Sequence, residues 1–207
     1  MLIELSFNEI YSETQKAIRS LNIDWGIAKD TAILSRWLAQ HEIYFLGSLL
    51  KTTDLFTSQN ISLSINKNSF EKPLSVALMG ILLIEYVSAN KIVWEGFLNS
   101  PKFLIAAMSI MASEQKINFE LYNKNKKLIA ITENENSYAN FKDLELSTDY
   151  FILNINVQNQ KHKLKKIMPS EINNASKVNE KCWNKLKAMA FETYVPDSEA
   201  SISGAGY

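Results

Sequence analysis

A chain of 207 residues, 46% apolar and 21% charged, has material for one core of useful size and stands near the upper edge of one compact domain. Its 22 basic and 22 acidic residues cancel, which excludes the long-range positive field that attracts nucleic acid or an anionic membrane surface. A single cysteine, Cys182, excludes an intramolecular disulfide and fits a reducing compartment.

In chain order, Met1–Leu5 lacks the basic region and long apolar stretch of a signal peptide, so a cytoplasmic protein is expected. Ser6 and Glu9 form a capping box, and Ile10, Thr14, Ala17, Ile18 and Leu21 recur at helical spacing, predicting a helix over 7–21. Asp24 caps a second helix with Trp25 and Gly26 in its first turn, carried to about Gln40 by Ala28, Ala32, Leu34, Trp37 and Leu38. A short third helix is expected over 43–51, and the alternation of 61–65 predicts a short strand.

Pro73 suits the first turn of a helix to about Ser88, whose run from Leu74 to Ala89 is interrupted by Ser75, Gly80 and Glu85 and is too short to span a bilayer. Gly80 at its centre predicts a close crossing with another helix. Ser100-Pro101 opens a further helix over 101–115, with Leu104, Met108, Met111 and Ala112 facing inward. The period then changes to two. A hairpin over 117–132, a polar surface loop over 133–140, strands at 144–147 and 150–157, and an edge strand at 163–168 are expected. A last helix over 172–193 precedes a non-helical tail.

The expected architecture is therefore α+β: a helical N-terminal layer over 7–115, packed on a small antiparallel sheet from 117–168, with a C-terminal helix across it. Residues 1–194 form one domain in this reading, and 195–207 an extended tail.

No nucleophile elbow, phosphate loop or dinucleotide fingerprint occurs. The tail alternates hydroxyls and a carboxylate at Ser198, Glu199, Ser201 and Ser203, with Gly204 and Gly206 permitting close backbone approach; it reads as a strap over a pocket or as a frayed terminus. Trp25-Gly26 and Lys29 at the start of the second helix suit an anion, or only a capped helix. Arg19 and Arg36 are the two arginines among many lysines, a choice that favours bidentate pairing with a carboxylate, and Glu85 is the natural partner if buried. His41 follows the second helix, where a partly positive imidazole complements the dipole. Neither His41 nor His162 has a partner at metal-ligand spacing, so no metal is expected. Lys161–Lys166 lacks the aromatic interleaving of a nucleic-acid patch and reads as edge-strand protection.

Phe7-Asn-Glu-Ile10, Trp25-Gly-Ile-Ala28 and Arg36-Trp-Leu38, together with Thr193-Tyr-Val-Pro196, Ser198-Glu199, Ser201 and Gly204-Ala-Gly206, resemble a bacterial family known as a domain of unknown function, numbered 3726. The resemblance implies no established activity and no cofactor, but it makes the tail a family feature.

The functional expectation is a metabolic enzyme or enzyme subunit acting on a small polar or anionic metabolite. Glu199 is its acid or base; Ser198, Ser201 and Gly204 bind substrate; Trp25, Lys29 and Arg36 line the opposite wall. The rival is an assembly protein whose tail docks into a partner or a second copy, anchored by Val195, Ile202 and Tyr207. No nucleic-acid or membrane partner is expected.

Overall fold

A computed structural model describes residues 1–65, 68–144, 148–155, 162–170 and 175–193. Its elements run β1 (Leu2–Ser6), α1 (Phe7–Arg19), α2 (Trp25–Gln40), α3 (Leu46–Thr57), β2 (Asn68–Ser75), α4 (Val76–Asn90), β3 (Trp94–Asn99), α5 (Lys102–Gln115), β4 (Phe119–Asn123), β5 (Leu128–Glu133), β6 (Asn136–Ala139), β7 (Thr148–Ile155), β8 (Lys165–Lys166), β9 (Ala175–Asn179) and α6 (Glu180–Phe191). The class is α+β, as expected.

Local signals hold where they are capped. The Glu9 amide donates to Ser6 Oγ at 3.1 Å, and the Gly26 amide to Asp24 Oδ1 at 2.8 Å, fixing the starts of α1 and α2. Lys91 and Lys116 close α4 and α5 in the left-handed conformation, with φ of 49° and 55°.

The sheet departs from expectation. It has seven strands in the order β2-β3-β7-β4-β5-β6-β8, and it is mixed rather than antiparallel. Its β2–β3 pair is parallel, bridged by α4 as a βαβ unit drawn from the N-terminal half. Pro73, expected to open the helix, lies inside β2; a missing amide donor is tolerated there because β2 is an edge strand. The expected loop over 133–140 contains β6, and the expected last helix begins at Glu180, after β9. The strand expected at 61–65 reduces to one bridge between Ser62 and Leu74. A second ribbon, β1 with β9, joins the two ends of the described chain.

Helices α4 and α5 cover one face of the sheet, α2 packs on both, α1 packs on α2, and α6 rests on α1 and α3. One buried cluster runs from Leu5 to Ala190, with Trp94, Phe103, Phe119 and Phe151 its largest enclosed side chains. At Gly80 an added methyl carbon would stand 3.3 Å from Leu34 Cδ1 and 3.4 Å from Ala107 Cβ, so the expected close crossing is present, against α2 and α5. Among the described residues, no helix is long and apolar enough to cross a membrane.

Candidate functional site

A cleft of about 450 Å³ opens where the C-terminal end of α2 meets α5, the β5–β6 turn and the segment after β8. Trp37 and His41 stand one helical turn apart, so their rings meet on one side of the helix, stacked at 3.9 Å. Opposite them, Ser109 of α5 and Ser137 of β6 bring their hydroxyls within 2.6 Å. Glu114, Glu135 and Lys166 complete the polar lining. The turn itself holds Asn134 and Glu135 at φ of 47° and 65°, a conformation that glycine adopts freely and glutamate does not. One wall is tied back to α2, because the Ser170 amide donates to the Gln40 carbonyl and its hydroxyl to Glu42 Oε1.

The hydrogen bonds decide what each group can offer. His41 Nδ1 lies 2.7 Å from the Trp37 carbonyl oxygen, which only accepts, so Nδ1 carries the proton and Nε2 keeps its lone pair. Burial pushes the His41 imidazole below its ordinary value, and the bond to Trp37 only partly opposes that shift. The neutral ring is therefore favoured, which corrects the expectation of a partly positive imidazole. Ser109 donates to the Ile105 carbonyl, so Ser137 must donate to Ser109 and present lone pairs to the cleft. Neither serine has the spare proton that a base would remove from a nucleophile.

His162 is disposed differently. Its Nδ1 accepts the Leu164 amide and its Nε2 faces Glu133 Oε2 at 3.4 Å, so both nitrogens are occupied. It borders a separate cleft of about 740 Å³ lined by Lys127, Lys142, Lys163 and Lys165. Lys165 and Lys166 form the edge strand β8, as the lysine run predicted.

The residues expected to form one wall sit on one stripe of α2 and line neither of these two clefts. Trp25 is 61% exposed, with the Arg19 guanidinium 5.4 Å from its ring centroid. Arg19 also donates to the Ile23 carbonyl. Lys29 is exposed, and Arg36 lies over the Tyr11 ring at 5.3 Å. The arginines thus meet rings rather than the expected carboxylate, and Glu85 is exposed. Ser198, Glu199, Ser201 and Gly204 lie outside the described residues. Ser109, Ser137, Glu114 and Glu135 were not anticipated. They come from three elements, and no spacing within one element marks them; the four-residue step from Trp37 to His41 was the one readable signal.

Fold and cleft together define an α+β protein with a polar, histidine-bearing pocket beside a mixed sheet. A family described as "Protein of unknown function (DUF3726)" matches residues 5–75, about a third of the chain, and this segment includes the Phe7–Ile10, Trp25–Ala28 and Arg36–Leu38 motifs. The tail motif falls outside the match. No curated protein matches. Among solved structures, malate dehydrogenase from Pyrococcus horikoshii OT3 is similar at 13% identity over 67% of this chain, with a TM-score of 0.42. The chain spans 47% of that enzyme, and the likeness is too loose to carry an argument.

Proposed function

We propose that this protein binds a small polar metabolite in the cleft beside His41 and, if it is an enzyme, uses His41 Nε2 to take up or return a proton. The observation that carries this reading is the anchored tautomer: a neutral imidazole whose Nδ1–H is fixed to the Trp37 carbonyl while the ring lines an open cleft. A lone-pair nitrogen and the serine oxygens accept from ligand hydroxyl or amino groups. Lys166 and the carboxylates of Glu114 and Glu135 read charge of either sign. The expected ligand class is hence a hydroxylated or amino-bearing small molecule.

The test is a thermal-shift screen of metabolites on the full chain, on His41→Gln and on Glu199→Ala. A ligand at a hundredfold excess over its dissociation constant stabilises by about 2.7 kcal/mol. A hit lost in His41→Gln and kept in Glu199→Ala supports the cleft. A hit indifferent to His41 but lost in Glu199→Ala returns the site to the tail and the Trp25–Lys29–Arg36 stripe. The assembly reading draws on the exposed Trp25 and Phe191, 61% and 74% accessible. It predicts a change in gel-filtration size when residues 195–207 are removed.

A further inference from the structure

The larger cleft, beside His162, gathers charge of one sign. At about 740 Å³ it lies within the size range of small-molecule sites. Lys127, Lys142, Lys163 and Lys165 reach it from three segments: the β4–β5 turn, the 3-10 turn Phe141–Leu144 and the stretch that enters β8. Among the described residues that line it there is no carboxylate. Edge protection accounts for Lys165, which lies in β8, but Lys127 and Lys142 stand outside that strand.

Hydrogen bonds of the chain itself hold the backbone that carries these lysines. Asn123 Oδ1 accepts the amides of Asn125 and Lys127 at 3.0 and 3.1 Å, and the Asn123 amide donates to the Lys127 carbonyl. The Asn140 amide donates to the Ile129 carbonyl at 2.8 Å and sets the start of the turn that bears Lys142. Lys165 is in register with Ala139. His162 braces the third segment. Its Nδ1 accepts the Leu164 amide, so the proton of the neutral ring sits on Nε2, which faces Glu133 Oε2. Its ring also stands edge-on to Tyr138, at 4.7 Å. With both nitrogens engaged, the imidazole offers the cleft no lone pair.

Ammonium groups held on separate fixed segments repel one another, and an anion between them relieves that repulsion. The whole chain has 22 basic and 22 acidic residues, so this positive potential acts at short range, which suits a compact ligand better than a long polyanion. Lysine meets an oxyanion as a point charge with three donors, without the planar fork that matches a carboxylate. A phosphate group concentrates up to two charges on three acceptor oxygens. We propose that this cleft binds a small molecule bearing two or more phosphate groups, held by Lys127, Lys142, Lys163 and Lys165. The site is separate from the His41 cleft and does not depend on it.

The test is calorimetric titration of the full chain with inorganic tripolyphosphate at low salt, beside citrate and a short single-stranded RNA. The expected result is saturable tripolyphosphate binding that weakens as salt rises. Replacing Lys127 and Lys142 together by Gln removes two charges and should weaken it about tenfold or more. The pair Lys163→Gln and Lys165→Gln, drawn from the other segment, should act alike and keeps the test open if the first pair does not fold. Lys51→Gln, at an exposed position of α3, and His41→Gln should bind as the parent does. No saturable binding by the full chain overturns the proposal, as does equal weakening in Lys51→Gln, which would mean diffuse charge and no site. Citrate bound as tightly as tripolyphosphate overturns the phosphate assignment. RNA bound more tightly than either makes the cleft part of a nucleic-acid surface and overturns the proposal as well.

Discussion

His41 shows how two local contacts set the chemistry of one residue. Stacking on Trp37 and the bond to its carbonyl hold the ring, while burial disfavours its cation. An imidazole whose folded pKa lies below its unfolded value binds a proton more readily in the unfolded chain. Its contribution is therefore complete above the ordinary value of about 6.5 and is lost as pH falls from there toward the lower folded value. Denaturant titrations between pH 8 and pH 5 should show declining stability across that window, and His41→Gln should flatten the decline. A proton resonance of His41 titrating above the ordinary value would contradict this. His162 has both nitrogens engaged, Nδ1 by the Leu164 amide and Nε2 against Glu133 Oε2.

At the scale of the element, α4 is the helix that organises its neighbours. Apolar nearly all round, it lies between the sheet and α2, and the Thr31 hydroxyl of α2 donates to its Ala77 carbonyl at 3.0 Å. Gly80 lets α2 and α5 close on it. In Gly80→Ala, a helix-propensity gain of about 1 kcal/mol meets contacts of 3.3 and 3.4 Å, so the two effects should nearly cancel. Gly80→Leu adds bulk that Leu34 and Ala107, both buried, cannot release, and should destabilise by about 1–3 kcal/mol. Chemical denaturation of both variants checks the pair, and a Leu variant as stable as the parent would refute the close crossing. The crossing was readable in advance, because a glycine centred in an apolar helix has few other uses. The strand β3 was not, since Trp94-Glu-Gly-Phe-Leu-Asn99 alternates weakly and places Gly96 at its middle.

Across the whole molecule, the β1–β9 ribbon joins the start of the described chain to its last strand, and α1 packs on α6 behind it. The Glu180 amide donates to the Met1 carbonyl, so the N-terminal residues also cap this junction. Deleting residues 1–6 should accelerate amide exchange in 175–191 together with 7–19, as one cooperative unit. Acceleration confined to 7–19 would show that the ribbon does not couple the two ends.

Capped helices, the Gly80 crossing, the 119–133 hairpin and the lysine edge were legible in the sequence, because each depends on neighbours within a few residues. A cap needs one side chain at a fixed offset, and an amphipathic stripe needs only its own period. Joining β3, and β2 through it, to the strands of the other half depends on β3–β7 pairings that reach from Asn99↔Thr148 to Trp94↔Leu153, far beyond what a local pattern encodes. The candidate site is of this second kind. His41, Ser109 and Ser137 come from three elements. Their burial and proton positions arise only when the sheet is assembled, since an isolated segment would leave every one of those groups to water.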